Sequence, residues 1–463
     1  MHATMEMEPG NTKNPSFFQI GCLWIKGFSG KPWVQIEKFL AKAKEMANKD
    51  PRKVIHSMKV GLTITLVSLF CYFQPFYSKD FEVLSSMWTL MTVVAVLEFS
   101  VGATLGKILN RGLGTLIACG LGVAAHHLAD FTGKTYEPIT IGTLVFIQAV
   151  ATTYVRFFPE VKARYDYGAT IFMATFCLVS VSGFEKDEMV KWVQDRLFSV
   201  VIGATICVLV SIIVFPVWAG EDLHRLVARD MENLGNFLED FEAKCFTSSK
   251  EGDTTNEESL YAGLSNVLES KTNLETLENF ARWEPSHGQF RYFHPWKQYL
   301  KIGKLTSQCA CKVEVLVLNA YLYSKTHDTQ EVRKTFQEAF SFLYSECGKA
   351  LKELAWSIDA MTKSPSPNHH VANLIIASEN MKYLLKSDSR EGWANSPQMI
   401  LIVGVASLLT DIVSSVKTID EAVSKLGSLA TFEGKGINGN SRTKDCECLK
   451  HGHEIPHYVA SFN

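Results

Sequence analysis

The sequence lacks the short motifs that mark a soluble enzyme, since it contains no glycine-rich nucleotide loop and no recognisable nucleophile motif. It has no stripe of Lys and Arg dense enough for nucleic acid, and its formal net charge is -2. Its eleven cysteines are odd in number and lack framework spacing, which argues against a disulfide scaffold. The first 50 residues hold no continuous apolar run, so no signal peptide is predicted. We therefore expect neither an enzyme nor a nucleic-acid-binding protein, and we expect no cofactor.

What the sequence does contain is a series of long apolar runs. The totals of 47% hydrophobic and 20% charged residues average two unlike halves, because the runs are confined to residues 54–218. A bilayer core of about 30 Å needs about 20 apolar residues in a helix. By that criterion the sequence predicts an all-α integral membrane protein with six transmembrane helices, near 60–76, 86–105, 112–129, 139–158, 167–184 and 197–218. A buried soluble bundle is disfavoured, because soluble core helices rarely follow one another with loops this short.

The short loops differ in Lys and Arg content, which predicts orientation because basic loops stay on the cytosolic side. The segment before the first span is rich in lysine. The loop after the second span carries Lys107 and Arg111, and the loop after the fourth span carries Arg156 and Arg164. The alternate loops are poorer in basic residues or mixed in charge. We therefore predict a cytosolic N-terminal segment over 1–53 and both termini in the cytosol.

After Trp218 the pattern changes to amphipathic helices, with apolar residues at helical spacing from Leu223 to Phe241. Pro365 and Pro367 separate two of the later helices, because proline disfavours helix at and before its own position. The sequence predicts a cytosolic helical-bundle domain over 219–431 that gates, dimerises or regulates, followed by a flexible tail over 432–463. The further helices are predicted over 257–281, 295–325, 329–362, 368–387 and 395–427.

Glu98 is the only acid well inside a predicted span. Ionisable residues at membrane depth are costly, so they usually face a pore or an oppositely charged partner. Glu98 is predicted either to pair with Lys59 or Lys107 in a buried ion pair or to take part in gating. Cation selectivity would need rings of acidic residues, which the spans do not offer.

Basic residues, by contrast, recur at the ends of the spans. Arg111 begins the third predicted span, Arg156 ends the fourth and Arg196 precedes the sixth. Any one of them is equally explained by a side chain that reaches for lipid phosphates. As a set, they would stabilise a desolvating carboxylate by charge and by bidentate hydrogen bonds.

Two further patterns lie in the apolar half. Gly102 and Gly106 form a GxxxG pattern, which predicts a close approach of helices. His126 and His127 lie at the outer end of the third predicted span. A metal site or a pH sensor is one interpretation of this pair, and polar capping at the membrane interface is the simpler one.

Several segments form an ordered set of motifs over roughly residues 50–430. In the apolar half they read MWTLMTVV at 87–94, EFSVGATLGK at 98–107, KARYDYG at 162–168 and FPVWAGEDLH at 215–224. Together they resemble the plant aluminium-activated malate transporter family of anion channels. In the tail, Trp283, Glu284 and Pro285 look like the Trp-Glu-Pro motif of that family.

The resemblance implies a voltage-gated homodimeric channel that passes malate and other organic and inorganic anions down their gradient. Members lie in the plasma membrane or the vacuolar membrane, and the short tail resembles the plasma-membrane type. In a dimer, Arg111 and Arg196 would become charged constrictions at the inner and outer ends of one pore. Arg156, Lys107 and Lys59 are the further candidates for anion contacts.

Activation by external aluminium is a separate question. A hard trivalent cation needs clustered carboxylate oxygens. The outer loops offer Asp80, Asp187 and Glu188 as candidate ligands. Lys191 follows Asp187 by one helical turn, where another acid would complete a site, so aluminium activation is left open.

Two other function classes remain as alternatives. A proton-coupled organic-acid exporter would need a titrating carboxylate in the membrane, for which Glu98 is the strongest candidate. A membrane-embedded enzyme would need a cluster of catalytic or metal-binding groups, and only His126 and His127 come close.

Overall fold

The computed structural model describes residues 31–73, 84–133, 135–181, 186–246, 254–291, 293–324, 330–363, 369–388 and 397–434. The chain divides into two units. The first, described over residues 31–58, holds α1 (Lys31–Lys49) and the beginning of α2 (Pro51–Phe73). The second begins at Lys59 and holds all the other described residues. Asp80 and the predicted flexible tail beyond Gly434 lie outside the described residues.

Helices account for nearly all of the second unit. Its apolar half contains α3 (Leu84–Val96), α4 (Val101–Thr132), α5 (Glu137–Arg156), α6 (Pro159–Arg164), α7 (Asp166–Val181) and α8 (Lys186–Ile213). Its second half contains α9 (Ala219–Phe246), α10 (Thr254–Glu269), α11 (Lys271–Ala281), α12 (Trp296–Ser324), α13 (Gln330–Asp359), α14 (His369–Asp388) and α15 (Pro397–Leu429). Two strands, β1 (Thr362–Lys363) and β2 (Glu433–Gly434), pair in parallel.

Five described segments are long and apolar enough to cross a membrane: Pro51–Phe70, Val101–Thr132, Glu137–Arg156, Val190–Ile213 and Ile400–Leu429. Two shorter apolar helices, over 87–96 and 166–181, complete the apolar half. The predicted all-α membrane fold is confirmed.

The last of these segments, within α15, packs in the helical bundle of the second half. One face of α15, from Ile402 through Leu409 to Leu426, is buried in the main hydrophobic core, together with α9, α12 and α13. Its apolar side chains therefore pack against protein, and mean hydropathy alone does not distinguish such a helix from a span. The buried Gln298 side chain fixes α12 to α15 by donating to the carbonyl of Ala422 at 2.8 Å.

The predicted span over 86–105 is wrong, because the helix breaks within it. α3 ends at Val96, and α4 begins after Ser100, whose extended backbone and side chain cap the new helix by accepting from the Ala103 N–H at 3.2 Å. The Thr104 hydroxyl accepts from the Glu98 N–H at 3.0 Å, which satisfies the backbone inside the break. Glu98 therefore lies between two helices, not in the interior of one.

Three segments of the apolar half meet at one edge. Lys59, near the beginning of α2, donates a 2.6 Å hydrogen bond to the carbonyl of Phe215, just after α8. The Val101 N–H, at the beginning of α4, donates to the carbonyl of Val217 at 3.0 Å. Lys59, the beginning of α4 and the end of α8 thus lie together, next to the start of α9.

Glycines determine how closely α4 and α7 approach each other where they cross. A Cβ on Gly114 would lie 2.6 Å from the carbonyl oxygen of Gly168, whereas a Cβ on Gly112 would meet nothing within 4 Å. The close approach at Gly114 is therefore between backbones and cannot be relieved by rotating a side chain.

We expect Gly114→Ala to lower the free energy of unfolding by about 1–3 kcal/mol, because overpacking a tight contact forces the helices apart. The matched control is Gly112→Ala, two residues away on the same helix, which should be neutral or slightly stabilising. Thermal unfolding of the purified protein in detergent measures both. Equal midpoints for the two variants would contradict this account of the crossing.

Candidate anion site

Arg111 lies in the interior of α4. It is the eleventh residue of a helix that begins at Val101, about 15 Å along the helix axis, and 4% of its surface is exposed. Its Nη1 donates a 3.1 Å hydrogen bond to the hydroxyl of Tyr167, at the beginning of α7, while its Nε has no hydrogen-bond partner among the described residues. The helix that contains Arg111 begins ten residues earlier than the apolar pattern indicated, so Arg111 lies within it and not at its start.

Arg196 approaches the same interior region from α8. It is 4% exposed, and its guanidinium carbon lies 3.5 Å from the centre of the Trp88 ring of α3. Within the described part of the chain, neither its Nε nor its Nη1 has a hydrogen-bond partner. Arg196 and Arg111 are close enough for direct electrostatic repulsion. They form one cluster, so the expectation that they occupy opposite ends of a pore is also wrong.

No acidic side chain in the described ranges neutralises either arginine of this cluster. Among the residues that the structure describes, no Asp or Glu forms an ion pair with Arg111 or Arg196. The buried hydroxyl of Thr115, one turn along α4 from Arg111, has no hydrogen-bond partner either. Burying like charges without compensation is costly, so an anion bound between them would be strongly stabilised. A carboxylate is well suited, because guanidinium groups bind it through two parallel hydrogen bonds.

Lys107 borders the cluster but is already paired. It lies one turn before Arg111 on α4 and forms an ion pair with Glu98 in the break between α3 and α4. Its ammonium also lies 5.4 Å from the centre of the Tyr167 ring. Of the two lysines predicted as partners of Glu98, the structure selects Lys107. Lys59 is instead bonded to the carbonyl of Phe215, where it fixes the segment between α8 and α9.

Arg156 has a carboxylate partner of its own. At the end of α5, its Nε and Nη2 donate to the two carboxylate oxygens of Asp166 at 2.7 and 3.1 Å. The short helix α6 lies between them in sequence, so this bidentate pair closes the connection from α5 to α7.

We expect Arg156→Ala and Asp166→Ala to have similar effects on anion current, and the double variant to be no worse than either. Each single variant removes the same ion pair, which is partly exposed and contributes at most about 1 kcal/mol. Current recordings normalised to protein at the membrane test this. A large loss in Arg156→Ala alone would indicate that Arg156 contacts the anion.

The GxxxG glycines allow a close approach, as predicted, and the partner is the tail. A Cβ on Gly102 would strike the carbonyl oxygen of Phe280, and one on Gly106 would lie 3.0 Å from the Trp283 ring. The beginning of α4 therefore packs against the end of α11 and the segment that follows it, and the absence of side chains at Gly102 and Gly106 allows the contact. This segment contains the Trp-Glu-Pro motif.

Glu284 of that motif joins two helix beginnings. Its side chain is 1% exposed, and its carboxylate accepts from the Ala219 N–H at 2.6 Å and the Gly220 N–H at 2.9 Å, at the start of α9. The Gly102 N–H, in the first turn of α4, donates to it as well. Burial raises the pKa of Glu284 to about 7, although these N–H groups favour the charged form. The Glu284 carboxylate thus caps the beginnings of both α4, in the apolar half, and α9, in the tail.

The remaining candidates have local roles or are not described. The His126 ring nitrogen Nε2 lies 3.0 Å from the carbonyl of Val179, which links α4 to α7. Within the described ranges, no group of three His, Cys, Asp or Glu side chains is placed to hold a metal. The side chains of Asp187 and Glu188 lie outside the described residues, as does Asp80.

Comparison with known proteins places these features in a family. The family described as "Aluminium activated malate transporter" matches residues 44–399, which include the arginine cluster and the Trp-Glu-Pro motif. The chain belongs to this family. The resemblance inferred from the motifs is confirmed, and so is the expectation that the chain is not an enzyme, because the family consists of transporters.

Individual members of the transporter family are similar over most of the chain. "Aluminum-activated malate transporter 2" of Arabidopsis thaliana is 45% identical over 404 residues, which cover 87% of this chain and 80% of the relative. "Aluminum-activated malate transporter 1" of Triticum aestivum is 39% identical over 406 residues, with 85% and 86% covered. "Aluminum-activated malate transporter 10" of Arabidopsis thaliana is 36% identical over 462 residues, with 91% and 92% covered.

Sequence reasoning missed the aromatic residues that complete the arginine cluster in this transporter family member. Trp88 and Tyr167 are distant in sequence from the arginines that they contact, and an apolar run offers no sign of which aromatic residue faces inward. Their occurrence in the family motifs at 87–94 and 162–168 was the one signal that could have identified them.

Proposed function

We propose that this chain forms an anion channel that passes malate and other organic and inorganic anions, and that Arg111 and Arg196 bind the anion as it crosses. The observation that supports the proposal is a buried pair of arginines that, among the residues the structure describes, have unpartnered N–H groups and no acid to neutralise them. The names of the relatives supply malate as the substrate. A dicarboxylate suits a site of two guanidinium groups, because each group can bind one carboxylate.

The channel is proposed to be a voltage-gated homodimer. Charges held within the spans sense the membrane potential, at about 2.3 kcal/mol per elementary charge per 100 mV. The arginine cluster lies within one subunit, so each protomer would bring its own site, and the tail would supply contacts for dimerisation. Light scattering of the purified protein in detergent, corrected for bound detergent, tests the dimer.

The protein is proposed to lie in the plasma membrane with both termini in the cytosol and lipids around its spans. The contacts of Lys59 with Phe215 and of Val101 with Val217 support one side for the N-terminal segment and the tail. The vacuolar membrane is the alternative, and localisation of a fluorescent fusion distinguishes the two.

Patch-clamp recording of the expressed protein tests the function, with malate, chloride, nitrate and external aluminium exchanged in turn. A current whose reversal potential follows the malate gradient supports the channel. The response of the current to external aluminium in the same experiment decides whether mutation of Asp80, Asp187 and Glu188 is the next step.

The exporter alternative is distinguished by Glu98→Gln. Glu98 already forms an ion pair with Lys107, which a proton-coupling carboxylate would have to break and remake in each cycle. In a channel, this variant should still carry current. In an exporter, it should abolish the dependence of malate transport on the proton gradient.

A further inference from the structure

α1 exposes a continuous apolar face. Ile36, Phe39, Leu40 and Met46 are 49%, 72%, 60% and 47% exposed. At about 100° of rotation per residue, these side chains and the small Ala43 occupy one sector of the helix. Single exposed apolar residues are common, but a contiguous apolar face of this kind marks a surface that a membrane or another protein covers.

The charges of α1 are arranged around that face. The helix carries five lysines and two glutamates, which gives a net charge of +3. Lys42 and Lys44 lie at the two borders of the apolar sector, Lys49 lies close to Lys42, and Lys38 lies farther from the sector. Glu45 is held on the polar side by an ion pair with Lys49 at 3.1 Å. Long lysine side chains at the borders of an apolar face reach from it towards anionic headgroups.

The position of α1 in the chain identifies what covers this face. Only Asp50 separates Lys49 from Pro51, where the membrane-spanning α2 begins, so the end of α1 lies at the bilayer surface. We propose that α1 lies in the plane of the membrane surface, with its apolar face in the lipid, and that Lys42 and Lys44 bind the headgroups of anionic phospholipids. Anionic lipid is concentrated in the cytosolic leaflet, so the proposal agrees with the orientation proposed above.

The test is amide hydrogen exchange of the full chain in lipid nanodiscs. One preparation contains phosphatidylcholine alone, and the other contains roughly one third phosphatidylserine. We expect exchange over residues 35–47 to be about tenfold slower with phosphatidylserine than without it, because both the apolar face and the lysines then engage the bilayer. Lys42→Gln with Lys44→Gln should remove most of this difference. Phe39→Asp should make exchange fast in both lipids.

Lys44→Gln alone should remove part of this difference. The matched control is Lys38→Gln, which removes the same single charge from a position farther from the apolar sector and should keep most of the difference. If this control loses as much protection as Lys44→Gln, the assignment to the two border lysines is overturned. Exchange that is equally slow with and without phosphatidylserine indicates that protein, such as a second copy of the chain, covers the face. Equally fast exchange shows that nothing covers it. Either result overturns the proposal, and neither depends on whether the channel conducts.

Discussion

Replacing Arg196 by alanine is expected to lower anion current about tenfold or more, and Arg111→Ala should do the same. Each charge-assisted hydrogen bond to a buried anion contributes about 1.5–3 kcal/mol, and 1.4 kcal/mol corresponds to a factor of ten. The two arginines repel each other and no described acid balances them, so removing one should not reduce the amount of folded protein at the membrane. Current and selectivity are measured by patch clamp and surface protein by labelling.

Two controls sharpen the test of the arginine cluster. Lys162→Ala removes one positive charge from an exposed position in α6, so it should leave current and selectivity unchanged. Arg196→Lys keeps the charge but loses the planar stack on Trp88 and the paired donors, so it should fall between the wild type and Arg196→Ala. If selectivity is unchanged in both Arg111→Ala and Arg196→Ala, the anion does not pass this cluster.

Replacing Glu284 by alanine is expected to cost about 3 kcal/mol of folding free energy, because the buried N–H groups of Ala219, Gly220 and Gly102 lose their acceptor. The loss should separate the tail from the first turn of α4, and we expect little protein at the membrane. Glu275→Ala is the matched control. It removes an exposed carboxylate from α11 that pairs with Lys304 at 2.7 Å, and should cost at most about 1 kcal/mol.

Glu284 should also make stability depend on pH. Burial holds its pKa at about 7 in the folded protein, above the value of about 4.3 for an unfolded chain. Between these values the folded state binds more protons than the unfolded state, so stability falls as pH rises from about 4 to about 7. Burial also raises the pKa of Asp230 to about 7, so Glu284 is not alone in contributing to this dependence. Thermal midpoints of Glu284→Gln should fall less steeply over this range, and identical slopes would show that Glu284 does not titrate there.

The contact between the Trp-Glu-Pro motif and the beginning of α4 could be predicted from sequence only in part. The resemblance marked Trp283, Glu284 and Pro285 as important, and the GxxxG pattern marked Gly102 and Gly106. Nothing in the spacing shows that these two sets meet, because they are separated by about 180 residues. A contact of that kind depends on how the tail folds back, which local sequence does not encode.

The break between α3 and α4 was difficult to predict from sequence for a different reason. Apolar residues continue on both sides of residues 97–100, so a search for about 20 apolar residues joins the two helices. The decisive signal is Ser100, whose side chain caps the new helix, with Thr104 satisfying the N–H of Glu98. A single capping residue inside an apolar run is a weaker local signal than the run itself.

The sequence by itself determined that this protein is a helical membrane protein of the malate transporter family with basic residues among its spans. Membrane thickness and helix geometry impose a length of apolar sequence that can be read directly. Only the tertiary structure decided which basic residues are free to bind an anion. Arg156 and Lys107 pair with acids ten and nine residues away, and Lys59 bonds to the distant Phe215 carbonyl. Arg111 and Arg196 are brought together from α4 and α8 with no acidic partner among the described residues. The physical reason is that the availability of a charge depends on its neighbours in space, and those neighbours are set by packing.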